Sequence, residues 1–144
     1  MIDPANVNLR NQKSVFEDVH EFHEKYKIPS IKPPLKLNHK TLCFRLKFLW
    51  EEMEELETAV DEQNVADQID ALIDLMYVAA GTLDLMGVDG QRHWNLVHRA
   101  NMKKIRAKSA DESKRGSSFD VVKPEGWEAP DHSILLGEQC DSNI

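Results

Sequence analysis

The sequence predicts an all-α fold: a bundle of four to five helices followed by a C-terminal arm, assembled into an oligomer. Three observations carry this. All six glycines lie at or after Gly81, and the stretch before them is rich in Glu, Leu and Lys, which favour helix. Leu42, Leu46, Leu49, Met53, Leu56 and Val60 alternate between spacings of four and three, which forms one stripe at about 100° per residue. The segment from Val65 to Met86 is apolar around most of its circumference. Such a helix belongs in the middle of a bundle or at a subunit interface.

The elements follow in order. A first helix is expected over about Asn8 to Tyr26, where Val15, Val19 and Phe22 share a face. Pro29, Pro33 and Pro34 make an extended connector. Asn38 caps a second helix over about His39 to Gln63, and Asn64 breaks it and caps a third, about Val65 to Met86. Gly87 and Gly90 bracket a turn, and a fourth helix spans about Gln91 to Arg106. From Ala107 onward Ser, Lys, Asp and Gly dominate, giving an arm with a short extended piece near Phe119 to Lys123. The expected organisation is a single domain over 1–136, with a helical core of about 8–106 and an arm of about 107–136. Residues 137–144 are read as a disordered tail.

Composition narrows the function. The 144 residues carry 18 Lys and Arg against 25 Asp and Glu, a net charge of −7. That disfavours a nucleic-acid binder relying on general basicity. No apolar run reaches the roughly 18 residues of a membrane span. The start, Met1-Ile2-Asp3-Pro4, lacks the basic and then apolar pattern of a signal peptide, so a cytoplasmic protein is expected. Cys43 and Cys140 lie far apart and read as reduced thiols. Any metal would have to be held by carboxylates.

Those carboxylates cluster. On the second helix Glu51, Glu52 and Glu55 point to one side, within about 100° of each other, and Glu52 borders the apolar stripe. On the third, Asp70 and Asp74 lie about 40° apart, with Tyr77 and Gly81 continuing their face. Like charges on one helix repel, and ionised groups inside an apolar helix are costly unless paired or metal-bound. Lys and Arg are absent from residues 48 to 91, so no local salt bridge is expected to neutralise these groups. Oxygen ligands alone favour Mg²⁺ or Mn²⁺. Glu54, Glu57, Asp61 and Glu62 read as a solvated face, and Asp67 as either a ligand or a first-turn charge. On the fourth helix Asn101 and Lys104 fall one turn apart, as a directional donor and a point charge suited to phosphate. Phe44 and Phe48 lie on the carboxylate side of the second helix, either as a slot for a stacked base or as an oligomer surface.

Glu52-x-x-Glu55, a gap, and then Asp70 and Asp74 resemble the MazG-like nucleoside triphosphate pyrophosphohydrolases. The family pattern has an acid three residues before the final aspartate; here position 71 is alanine and the acid is Asp70. Asp74-Leu-Met-Tyr77 and Gly81 to Asp89 resemble the branch of phosphoribosyl-ATP pyrophosphohydrolases. So do Asn101-Met102-Lys103-Lys104, the arm with Lys123, Trp127 and Pro130-Asp131, and Phe22-His23 with Pro29 and Pro34. The likeness covers about residues 15–131 and extends to stand-alone chains of bacteriophages, which would place the protein in a host cytoplasm.

The resemblance implies an all-α NTP pyrophosphatase that hydrolyses a (deoxy)nucleoside triphosphate to monophosphate and pyrophosphate. It implies Mg²⁺, with Mn²⁺ as a substitute, held by Glu51, Glu52, Glu55 and Asp74 with Asp70 beside them. Glu51 or Glu52 would serve as general base, and Asn101, Lys104 and Lys123 would hold phosphate. The arm with Lys123 and Trp127 is expected to close over the site. A homodimer or homotetramer is implied, with sites near the subunit interface and no membrane or nucleic-acid partner. Phosphoribosyl-ATP hydrolysis and a dUTPase-like role share the same chemistry. A non-catalytic helical adaptor, whose acids only solubilise it, is the alternative of another class.

Overall fold

The structure is a computed structural model, and it describes residues 13–30 and 36–140, apart from the side chains of 137–140. It is mostly helical, the all-α class expected. Among the described residues five helices run in chain order: α1 (Val15–Lys25), α2 (His39–Asp61), α3 (Val65–Leu85), α4 (Gly90–Asn101) and α5 (Ser133–Cys140). Two short strands, β1 (Ile105–Arg106) and β2 (Val121–Val122), pair antiparallel. The chain divides into two compact units, one ending at Gly90 and one beginning at Gln91.

In the first unit, α3 packs against both α1 and α2. Helix α1 starts at Val15, later than the expected start. Ser14 and Glu17 form a capping box: the Glu17 amide donates to Ser14 Oγ (3.3 Å) and the Ser14 amide to Glu17 Oε2 (2.8 Å). The expected residues 8–12 lie outside the described residues. Asn38 and Asn64 cap α2 and α3 as predicted, each accepting the backbone amide three residues on. Helix α2 ends in a Schellman turn: Asn64 N donates to Ala59 O and Gln63 N to Val60 O, with Gln63 at φ 56°. Helix α3 ends the same way around Gly87, at φ 71°.

The stripe expected to form the core does not do so within the protomer. Leu46 is 49% exposed and Met53 47%, and Leu42 and Val60 are exposed too. The buried residues of α2 are Arg45, Glu52 and Ala59, one every seven positions. On α3 the buried line includes Ala71, Val78, Gly81 and Leu85, while Ile69 is 58% exposed and Met76 50%. Small side chains let the two helices approach closely. Helix α3 is thus the middle helix of the first unit, but its bulky residues Ile69 and Met76 lie exposed, away from the buried line.

In the second unit, α4 stops at Asn101 rather than Arg106. Ile105 leaves the helix to pair with Val122, and Arg106 pairs with Val121. Asn101 and Lys104 therefore do not share a helical face; the Lys104 amide closes a turn onto Asn101 O (3.0 Å). Asp120 holds the loop between the strands. It accepts from Ser113 Oγ (2.6 Å), from the Arg115 guanidinium and from the Val121 amide (2.8 Å), which together lower its pKa to about 2. The backbone of α5 continues through Cys140, and residues 141–144 of the expected tail lie outside the described residues. Among the described residues no single helix is long and apolar enough to cross a membrane.

Candidate active site

The predicted acids divide between two concavities on the α2–α3 pair. Glu52 and Asp74 line a cavity of about 180 Å³ together with His23, Arg45, Phe48 and Gly81. Glu55 and Asp70 line a second, of about 320 Å³, with Glu54, Glu62 and Asp67. Glu51 lines neither; it is exposed and its Oε1 lies 3.7 Å from Lys47 Nζ. The expectation that these acids lack a salt bridge is corrected there: Lys47 stands one position before the cation-free stretch and reaches back one helical turn. Among the described residues no three His, Cys, Asp or Glu side chains stand close enough together to hold a metal ion.

Glu52 is the exceptional member. It is 7% exposed, and its Oε2 is buried without a hydrogen-bond partner. Burial raises its pKa, and the charges of Asp74, Glu55, Asp70 and Glu51 raise it further. The other four predicted acids thus all act electrostatically on this one carboxyl, across both concavities. A buried carboxylate with an orphaned oxygen and four negative neighbours is costly by itself and suited to a hard divalent cation. All five acids offer the oxygen donors that Mg²⁺ or Mn²⁺ prefers, although among the described residues they do not converge on one point.

Arg45 escaped the sequence reading, which named His23 and Gly81 but not their contacts. Arg45 is 8% exposed, and burial lowers its pKa; Nη2 donates to Val78 O (2.7 Å) and Nε to Thr82 Oγ1 (3.0 Å). His23 is buried, with Nδ1 2.5 Å from Asp84 Oδ2, and His20 Nδ1 lies 2.8 Å from the other oxygen of Asp84. One carboxylate on α3 thus fixes two successive turns of α1. Gly81 permits this: a Cβ there would lie 2.9 Å from Arg45 Nη2 and 3.4 Å from His23 Nε2. The local signal that existed was Asp84 itself, an acid in an otherwise apolar helix end. Phe48 lines the Glu52 cavity, and Phe44, exposed, lies with its ring centroid 6.2 Å from that of Phe48.

The predicted phosphate groups lie in the second unit. Asn101 is exposed at the end of α4, Lys104 is half-buried and Lys123 is exposed. Both lysines sit over the Trp127 ring, at 5.5 and 4.5 Å from its centroid. Trp127 Nε1 donates to Ala100 O (2.7 Å), so the arm expected to close over the site is tied to the end of α4 through this residue.

A family model described as phosphoribosyl-ATP pyrophosphohydrolase matches residues 15–101, from the start of α1 to the end of α4. The match takes in all five predicted acids and ends on Asn101, short of Lys104 and Lys123. It does not bear on a phage origin. Comparison with curated proteins gives no match. On this match the activity is that of a pyrophosphohydrolase acting on a nucleotide-like substrate. The chain belongs to the phosphoribosyl-ATP pyrophosphohydrolase family, within the MazG-like all-α NTP pyrophosphatases.

Proposed function

We propose that the chain is a metal-dependent cytoplasmic hydrolase that converts a (deoxy)nucleoside triphosphate to its monophosphate and pyrophosphate. The observation that carries this is Glu52, a buried carboxyl with an unpartnered oxygen and four acids around it. Glu51, Glu52, Glu55, Asp70 and Asp74 would hold Mg²⁺, with Mn²⁺ as a substitute. When bound, the ion supplies charge neutralisation along the phosphate chain and a more acidic water.

The remaining work falls to side chains. Water must lose a proton as it attacks phosphorus, and a P–O bond breaks to release pyrophosphate. Glu51 is exposed and near Lys47, whereas Glu52 faces the cavity with a free oxygen, which favours Glu52 as the proton acceptor. Arg45, held by Val78 and Thr82, places a positive charge on the same cavity wall. Asn101, Lys104 and Lys123 would hold phosphate oxygens and stabilise the leaving group.

The cavity at Glu52, about 180 Å³, is smaller than the roughly 300–1,000 Å³ usual for small-molecule sites. It suits one part of a nucleotide. The exposed stripe of α2 and α3 supports a homodimer or homotetramer in which a second copy lies near the site. A second reading, phosphoribosyl-ATP as substrate, is favoured by the name of the family matched.

One experiment tests both: pyrophosphate release from NTPs, dNTPs and phosphoribosyl-ATP, with Mg²⁺ or Mn²⁺ and with chelator. The proposal expects metal-dependent release from one or a few triphosphates. Preference for phosphoribosyl-ATP selects the second reading. No release from folded protein overturns both.

A further inference from the structure

The register of the two short strands sets up an unusual pair. Ile105 lies opposite Val122 and Arg106 opposite Val121. One step outward along the same ladder are Lys104 and Lys123. Like charges placed opposite each other across antiparallel strands repel. Among the described residues no carboxylate pairs with either lysine, although Glu125 and Glu128 are close in sequence. Both ammonium groups instead lie against one aromatic ring, that of Trp127, at 5.5 and 4.5 Å from its centroid.

The ring itself is fixed. Its N–H donates to Ala100 O at 2.7 Å. Its backbone closes a turn in which Trp127 N donates to Pro124 O (3.1 Å) and Gly126 takes φ 74°. Glycine after Pro-Glu suits a type II turn, which needs positive φ at that position. The turn begins one residue after Lys123, so strand pairing, turn and indole bond all fix the same short segment. An aromatic face attracts cations by its quadrupole. That can hold two ammonium groups near one ring, but it does not neutralise them. A linked pair of phosphates would.

We propose that Trp127 is a positioning residue that gathers Lys104 and Lys123 into a paired clamp for adjacent phosphates of a polyphosphate chain. The proposal rests on the reading of those two lysines as phosphate-binding groups.

The test is calorimetric binding of inorganic pyrophosphate to the full chain with chelator present, alongside steady-state kinetics on the nucleotide turned over. Trp127→Leu removes the ring, and Lys104→Met and Lys123→Met remove one cation each. Trp127→Leu is expected to weaken pyrophosphate binding about tenfold and to raise KM by a similar factor, with kcat within twofold. Each lysine variant should lose a similar factor, and combining either with Trp127→Leu should add little, because the three act as one unit.

Unchanged affinity in Trp127→Leu, with affinity lost in the lysine variants, overturns the clamp and leaves the phosphate reading standing. Full affinity in both lysine variants, or no binding by the unaltered chain, overturns the phosphate reading and the clamp together. Should Trp127→Leu fail to fold, the double variant Lys104→Met/Lys123→Met decides. Losses smaller than the product of the single effects support one shared clamp, and strictly multiplicative losses overturn it.

Discussion

Two faces of helix α2 invert the usual arrangement. One face carries Arg45, Glu52 and Ala59 and is buried against α3; the neighbouring face carries Leu42, Leu46, Met53 and Val60 and is exposed. They are separated by about 100° around the helix. In a self-sufficient protomer the aliphatic face would be inside and the charged one in water. The difference teaches that the inward side serves a polar cavity, while the outward side keeps its aliphatic residues uncovered among the described residues, as the oligomer proposed above requires.

The most severe way to break the inward face is Glu52→Gln. Loss of the proton acceptor is expected to lower kcat by about 10²–10⁴-fold, measured as pyrophosphate release. The fold should improve. The carboxyl's raised pKa means the native state holds the proton longer than the unfolded chain, so metal-free stability falls as pH rises above 4.5. Glutamine removes that penalty, and the metal-free melting temperature at neutral pH should rise while the increment given by Mg²⁺ disappears. A melting temperature that falls would mean the carboxyl is stabilising, against the burial argument.

The outward face is broken by Leu46→Asp. A charge in an interface core costs about 2–4 kcal/mol, or roughly 30- to 1,000-fold in association. Sedimentation should show a shift toward monomer with helix content retained. An unaltered distribution would show that this stripe is not the contact surface.

Gly81→Ala sharpens the comparison from inside. The added methyl enters the space of Arg45 Nη2, 2.9 Å away, and that guanidinium is tied to Val78 and Thr82. Alanine also gains about 1 kcal/mol of helix propensity over glycine. Stability should therefore change little while KM rises several-fold. Equal losses in stability and activity would deny the cavity a specific role.

The smallest effect is expected in the second unit, from Asp120→Asn. The Asp120 pKa, lowered from 3.8 to about 2, contributes stability that is present above 3.8 and lost as pH falls toward 2. The asparagine variant should be less stable at neutral pH and show a flatter acid dependence in that window. The α2–α3 pair should be unaffected, as followed by amide exchange of its helices.

Much of this was legible in sequence. The bounds of α2 and α3 follow from Asn38 and Asn64, whose caps are local chemistry. Ser14-x-x-Glu17 was an equally local signal for the start of α1, which apolar spacing alone does not mark. The end of α4 was not local. Helical periodicity continues through Ile105, and only its pairing with Val122 removes it. The acids were found by their spacing, and the family match covers them. Their partition between two concavities was not, because a helical wheel gives direction around one axis and says nothing of what stands opposite. Arg45 lay in the repeating sequence of α2 as an apparent surface cation. His23 and Asp84 are 61 residues apart, and their pairing needs α1 folded onto α3.

The exposed aliphatic band has a consequence for mass action. If a second copy covers it, each protomer's fold is completed by a bimolecular event, and its stability then varies with protein concentration. Dilution would lower the melting temperature and activity together. The amount of chain a cell makes would then set both how much enzyme is present and what fraction of it is competent.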